Sequence, residues 1–145
     1  MKKPINRNNL IKQHKPLKAS INQTNHILKR GQFGLRSSQH ARVNVNQINN
    51  FKKFIYKEIK LVEKKSTLGK IKIWFCMFPT RPLTKLSPET RMGKGKGPIV
   101  DHCCYLRPGK LLFELANFPR SKASEFTRRI RNVTSFKFQS LLKFN

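Results

Sequence analysis

Thirty-two Lys and Arg residues share this chain with only six Asp and Glu, leaving a formal net charge of +26. Six carboxylates cannot neutralise that many cations inside a fold. The counter-charge must come from outside, and phosphates are its natural source. The same scarcity argues against enzyme chemistry built on paired carboxylates. The imbalance is uneven, because thirteen Lys and Arg precede the first acid, Glu58. Residues 1–28 are rich in Lys, Asn and Gln, show no sustained apolar period, and cannot bury enough surface to offset their ordering entropy. They read as a basic arm, extended or disordered until it meets a polyanion. Residues 29–145 read as one domain, the natural count for a chain of 145 residues.

Other classes fall away quickly. No run of 18 to 20 apolar residues is present, so no transmembrane helix is expected. The basic N-terminus lacks the apolar stretch of a secretory signal. Three cysteines, Cys76, Cys103 and Cys104, make no disulfide framework and suit a reducing compartment. The abundance of Asn, Lys, Ile and Phe hints at an AT-biased, organelle-type genome.

The coarse pattern is mixed α and β. A short strand is expected over residues 32–36. Asn44 and Gln47 have capping-box spacing, and Ile48, Phe51, Ile55, Ile59 and Val62 then fall on one helical face up to Gly69. Residues 70–78 read as a strand closed by Pro79 and Pro82. Residues 80–98 read as a long loop. Residues 99–107 and 110–116 read as a hairpin about Pro108-Gly109, and residues 121–134 as a second helix buried through Ala123, Phe126, Ile130 and Val133. A closing strand follows over residues 136–144. The fold class is α+β, with an antiparallel-rich sheet covered by two helices.

Within the long loop, Arg91-Met92-Gly93-Lys94-Gly95-Lys96-Gly97 alternates glycine with lysine. Such a backbone can approach a phosphate-lined surface while ammonium groups point into it. The spacing is not that of a Walker loop or a dinucleotide fingerprint. Asp101-His102-Cys103-Cys104 invites a metal or thiol reading, but adjacent strand residues point to opposite faces and no second ligand pair lies nearby. No metal, cofactor or catalytic residue is therefore assigned. One of the two cysteines is expected in the core and the other at a contact surface. His14, His26 and His40 lie in polar contexts and read as surface or RNA contacts.

The loop has company. Ile73-Trp74-Phe75-Cys76-Met77-Phe78-Pro79 and Arg81-Pro82-Leu83-Thr84 precede it, Leu106-Arg107-Pro108-Gly109-Lys110 follows it, and Gln32-Phe33-Gly34-Leu35-Arg36 lies upstream. This ordered set resembles the bacterial-type large-subunit ribosomal protein sixteen family over about residues 30–145. The chain departs from that pattern at Cys76, where the family has Arg, and at His102, where it has Trp. Residues 61–68 look inserted. This drift with an intact loop resembles a mitochondrial member.

The resemblance implies a hammerhead-type α+β protein that is a structural constituent of the large subunit, not an enzyme. Its partners would be large-subunit rRNA, tRNA and neighbouring ribosomal proteins, in the mitochondrial matrix. The loop that positions tRNA at the aminoacyl site would comprise Arg81, Arg91, Met92, Gly93, Lys94, Gly95, Lys96 and Gly97. The rRNA contacts would come from Lys29, Arg30, Arg36, Arg42, Lys52, Lys53, Arg107, Lys110, Arg128, Arg129 and Arg131. Cations of this kind give affinity and register rather than base readout. A free RNA-binding or ribosome-assembly factor could use the same fold.

Overall fold

The computed structural model describes residues 12, 20–66, 69–93 and 95–143. Its elements run β1 (Phe33–Ser37), β2 (Ala41–Asn44), α1 (Val45–Lys65), β3 (Lys72–Phe75), β4 (Arg81–Thr84), β5 (Ile99–Leu106) and β6 (Leu111–Ala116). One turn of 3-10 helix (Arg120–Lys122) then leads into α2 (Ala123–Val133), and β7 (Phe138–Leu142) closes the order. The α+β class and the two helices agree with the sequence. The strands, however, divide into two antiparallel sheets rather than one: β3-β6-β1-β7 and β2-β5-β4.

That division dissolves the expected 99–107/110–116 hairpin. The turn itself forms, with Lys110 N–H donating to the Arg107 carbonyl at 3.0 Å, but the strands on either side part company. A strand has two edges, and both strands have theirs filled. β6 lies between β1 and β3, and β5 lies between β2 and β4. The true hairpin is β4–β5, one strand earlier. Residues 81–84, expected to be loop, form its first arm. Pro82 is tolerated there because β4 is an edge strand and needs no N–H on its open side.

α1 begins where the capping pattern places it, with Asn44 N–H donating to Gln47 Oε1 at 3.0 Å. It ends at Lys65, earlier than Gly69, because Ser66 turns extended. The Glu63 carboxylate accepts the Ile71 N–H at 2.8 Å and so ties the helix end to the start of β3. β3 covers only Lys72–Phe75 of the expected residues 70–78.

The core lies between the helices and the inner faces of both sheets. Phe33, Leu35, Phe113 and Leu115 of the larger sheet meet Ile48, Phe51 and Ile55 of α1 and Phe126 and Ile130 of α2, and Val43, Cys104 and Leu106 join from the smaller sheet. Phe33 stacks on Phe118 at 5.0 Å between centroids and meets Phe126 edge-on at 5.9 Å. Burying each such ring contributes about 1.5–3 kcal/mol. In α2 the buried stripe is Ala123, Phe126, Thr127 and Ile130. Val133, expected in it, is 52% exposed. Thr127 is buried without cost because its hydroxyl donates to the Ala123 carbonyl at 2.7 Å.

The body also begins earlier than residue 29. Asn22 N–H donates to the Pro108 carbonyl at 2.8 Å, Leu111 N–H donates to the Asn25 carbonyl at 2.9 Å, and Leu28 is buried. Residues 22–31 thus form a strap over the outer face of the larger sheet. Most of residues 1–19 lie outside the described residues. Among the described residues, no helix is long and apolar enough to cross a membrane.

Candidate nucleic-acid interface

The glycine–lysine segment is the tip of the β4–β5 hairpin. Its neck closes where Lys85 N–H donates to the Pro98 carbonyl at 3.2 Å, and Gly97 is buried against it. A Cβ on Gly97 would stand 2.4 Å from the Lys85 carbonyl oxygen, so only glycine allows that closure. Gly95, at φ +147, needs glycine for its backbone rather than for space. Gly93 has neither requirement. Beyond the neck, Arg91, Gly93 and Lys96 are exposed and Met92 is 94% exposed. Lys94 lies outside the described residues. Lys12 Nζ donates to the Lys96 carbonyl at 3.0 Å, which brings a residue of the N-terminal segment to the loop.

The small sheet carries two of the expected cations together. Arg42 pairs with Tyr105 and Arg81 with Cys103. Tyr105 and Cys103 are two apart in β5, so both arginines share the face turned away from the core. Cys103 is buried beneath them, and burial pushes its thiol above the ordinary value while Arg42 works in the opposite direction. Cys104 faces the core. Both cysteines are therefore almost fully buried, at 1% and 2% exposure, and neither lies at a contact surface as expected. His26 and His40 are likewise less exposed than their contexts suggest: His26 Nδ1 and His40 Nε2 are buried without a hydrogen-bond partner.

The remaining cations separate into free and committed groups. Lys29, Arg30, Lys53, Arg128 and Arg131 are exposed. Lys52 lies with Nζ 5.4 Å from the Phe75 ring centroid, a cation–π contact that still leaves its charge accessible. Arg36 forks onto Gln139 Oε1 at 3.3 and 3.1 Å. Lys110 Nζ approaches Cys104 Sγ at 3.4 Å and the Tyr105 carbonyl at 3.5 Å, so it serves the junction between sheets. Arg107 is half-buried at the same turn.

Arg129, one of the expected phosphate contacts, is engaged by carboxylates of the protein itself. Its guanidinium meets Glu58 Oε2 at 3.0 Å and Glu125 Oε1 at 2.6 Å. Those hydrogen bonds raise the arginine pKa and hold the Glu125 carboxyl below its usual range. Two of the six acids are thus spent on one cation, which also compensates the buried Glu58.

A structural element invisible in the residue pattern is the Glu114 seat. Its Oε2 accepts the backbone N–H groups of Lys29, Arg30 and Gly31 at 3.0, 2.7 and 2.9 Å. Three successive amides converging on one oxygen form an anion nest, here filled by the protein's own carboxylate. The nest ties the strap's backbone to β6. The only sequence signal was an acid inside an apolar strand, Leu111-Leu112-Phe113-Glu114-Leu115.

The domain is thus an α+β scaffold with exposed cations and a clamped basic loop, in which Glu58, Glu63, Glu114 and Glu125 are drawn into internal bonds. Comparison with known proteins gives its family. The family model described as ribosomal protein L16p/L10e matches residues 5–140. The chain is 34% identical over 126 residues to the large ribosomal subunit protein uL16m of Chondrus crispus, covering 87% of this chain and 90% of that protein. It is 34% identical over 114 residues to uL16 of Psychrobacter cryohalolentis, covering 79% and 77%. It is 36% identical over 99 residues to uL16 of Sulfurihydrogenibium sp., covering 68% and 66%. The chain belongs to the ribosomal protein L16p/L10e family, whose members are structural, non-enzymatic components of the ribosome. The match from residue 5 takes the family resemblance well upstream of residue 30, where the motifs had placed its start.

Proposed function

We propose that this chain is a structural protein of the large subunit of a mitochondrial ribosome. It binds large-subunit rRNA through its exposed cations and presents the 91–97 loop to tRNA at the aminoacyl site. The observation that carries the reading is the loop itself, a basic tip held out from the body by a neck that only Gly97 permits. Arg42 and Arg81 would grip phosphate in bidentate forks, and Lys96 would act as a point charge. The similarity to uL16m over 87% of the chain supports the organelle, together with the departures at Cys76 and His102.

The test is sedimentation of a mitochondrial lysate at about 0.5 M salt, where exposed ion pairs are largely screened, with mass spectrometry across the gradient. Stoichiometric recovery with the large subunit is the expected result. Recovery only in light fractions would replace this reading with that of a free RNA-binding or assembly factor.

A further inference from the structure

A groove of about 620 Å³ runs along the outer face of the larger sheet, between the strap and the end of β3. Its volume falls in the range of about 300–1,000 Å³ typical of sites for small organic groups. Trp74 and Phe78 supply its aromatic wall, Lys29 and Arg30 its rim, and Cys76 and Glu114 its floor.

Strand alternation explains why an indole is here. Ile73 and Phe75 pack against the core, so Trp74 points to the opposite face, beside its register partner Glu114. Trp74 is only half-buried, and among the described residues its ring meets no other aromatic ring and its indole N–H has no partner. Phe78 is 58% exposed. The rim is cationic, and neither Lys29 nor Arg30 is in an ion pair among the described residues. Lys29 and Arg30 have exposed side chains, and the one acid in the groove is already engaged by three backbone amides.

We propose that this groove seats one unpaired RNA nucleotide, its base stacked on Trp74 and its flanking phosphates held by Lys29 and Arg30. The inference rests on the RNA-binding reading above. Exposed aromatic faces beside cations match the chemistry of an unstacked nucleotide, because every base offers a π-face and every linkage a phosphate. A regular duplex hides its base faces and cannot fill the groove.

Trp74 is the single tryptophan of the chain, so its fluorescence reports on this site alone. The full-length protein is titrated at about 0.3 M salt with two RNA hairpins of equal stem length, one carrying a single bulged adenosine and one fully paired. The bulged hairpin is expected to quench the fluorescence and to bind about 10-fold more tightly than the paired one. Trp74→Ala should abolish that advantage and leave binding of the paired hairpin unchanged, while Trp74→Phe should keep most of it. Phe78→Ala, at an exposed position, should reduce the advantage several-fold and serves if Trp74→Ala does not fold. Equal binding of the two hairpins overturns the groove while leaving general RNA binding in place. Binding to neither overturns both.

Discussion

Arg129 of α2 reaches Glu58 of α1 at 3.0 Å, and the carboxylate it meets is almost wholly buried. This ion pair joins the two helices and gives a buried charge its partner. Arg129→Ala would strand that charge. It is expected to lower the thermal unfolding midpoint, and Glu58→Gln in the same background should restore most of the loss. Arg128→Ala, at an exposed neighbouring position, should leave the midpoint unchanged. Circular dichroism melts of the four proteins decide it.

Glu114 anchors the strap through three charge-assisted bonds. Glu114→Ala leaves three backbone amides without their acceptor, a loss of about 3 kcal/mol. Glu114→Gln keeps an acceptor oxygen and should lose about half as much. Denaturant unfolding measures both. Protease cleavage confined to residues 22–31 in the alanine variant would show that the strap has come away.

The glycines of the loop should separate cleanly. Gly97→Ala drives a methyl against the Lys85 carbonyl and should cost about 1–3 kcal/mol while opening the neck. Gly93→Ala has open space and an ordinary backbone, and should fall within about 0.5 kcal/mol of wild type. Equal effects at the two positions in unfolding and translation assays would contradict the clamped neck.

Lys94→Ala combined with Lys96→Ala should leave the fold and subunit assembly intact and weaken translation. Failure of assembly in the double variant would instead make the loop an rRNA anchor. With six to ten phosphate contacts across the surface, affinity of the isolated chain for RNA should fall by about 10³–10⁵ between 50 and 200 mM salt.

Alkaline pH should loosen the fold. Burial pushes the Cys76 thiol up, with Glu114 adding to it, and burial likewise raises Cys103. The folded state therefore keeps protons that the unfolded chain releases above the ordinary thiol value of 9.0. The stability these thiols contribute is complete below that value and is lost as pH climbs through the raised ones. A Cys76→Ser, Cys103→Ala double variant should show a flatter decline in unfolding free energy between about pH 9 and 11.

What could be read from the residues alone follows the range of the interactions. α1 was legible because the Asn44–Gln47 cap and the apolar period act within a few residues. That the described residues of 85–98 carry no strand or helix was legible because their glycines and prolines punctuate the chain locally. β4 was not, since four residues containing a proline carry no alternation and become a strand only through β5. The parting of β5 from β6 was hidden for the same reason: a tight turn looks identical whether its strands pair with each other or with distant ones. Glu114 and Arg129 acquire their roles from partners many residues away, Lys29 to Gly31 in one case and Glu58 in the other.

The order of the larger sheet sets when this chain can finish folding. β1 lies between β6 and β7, with Phe33 opposite both Leu115 and Leu142. The first described strand is therefore sealed by the last described one. Until β7 has emerged and docked, β1 keeps one bare row of amides and carbonyls, the kind of edge that recruits a neighbouring chain. Completion therefore waits on β7, and a newborn copy stays vulnerable to mispairing until that strand docks.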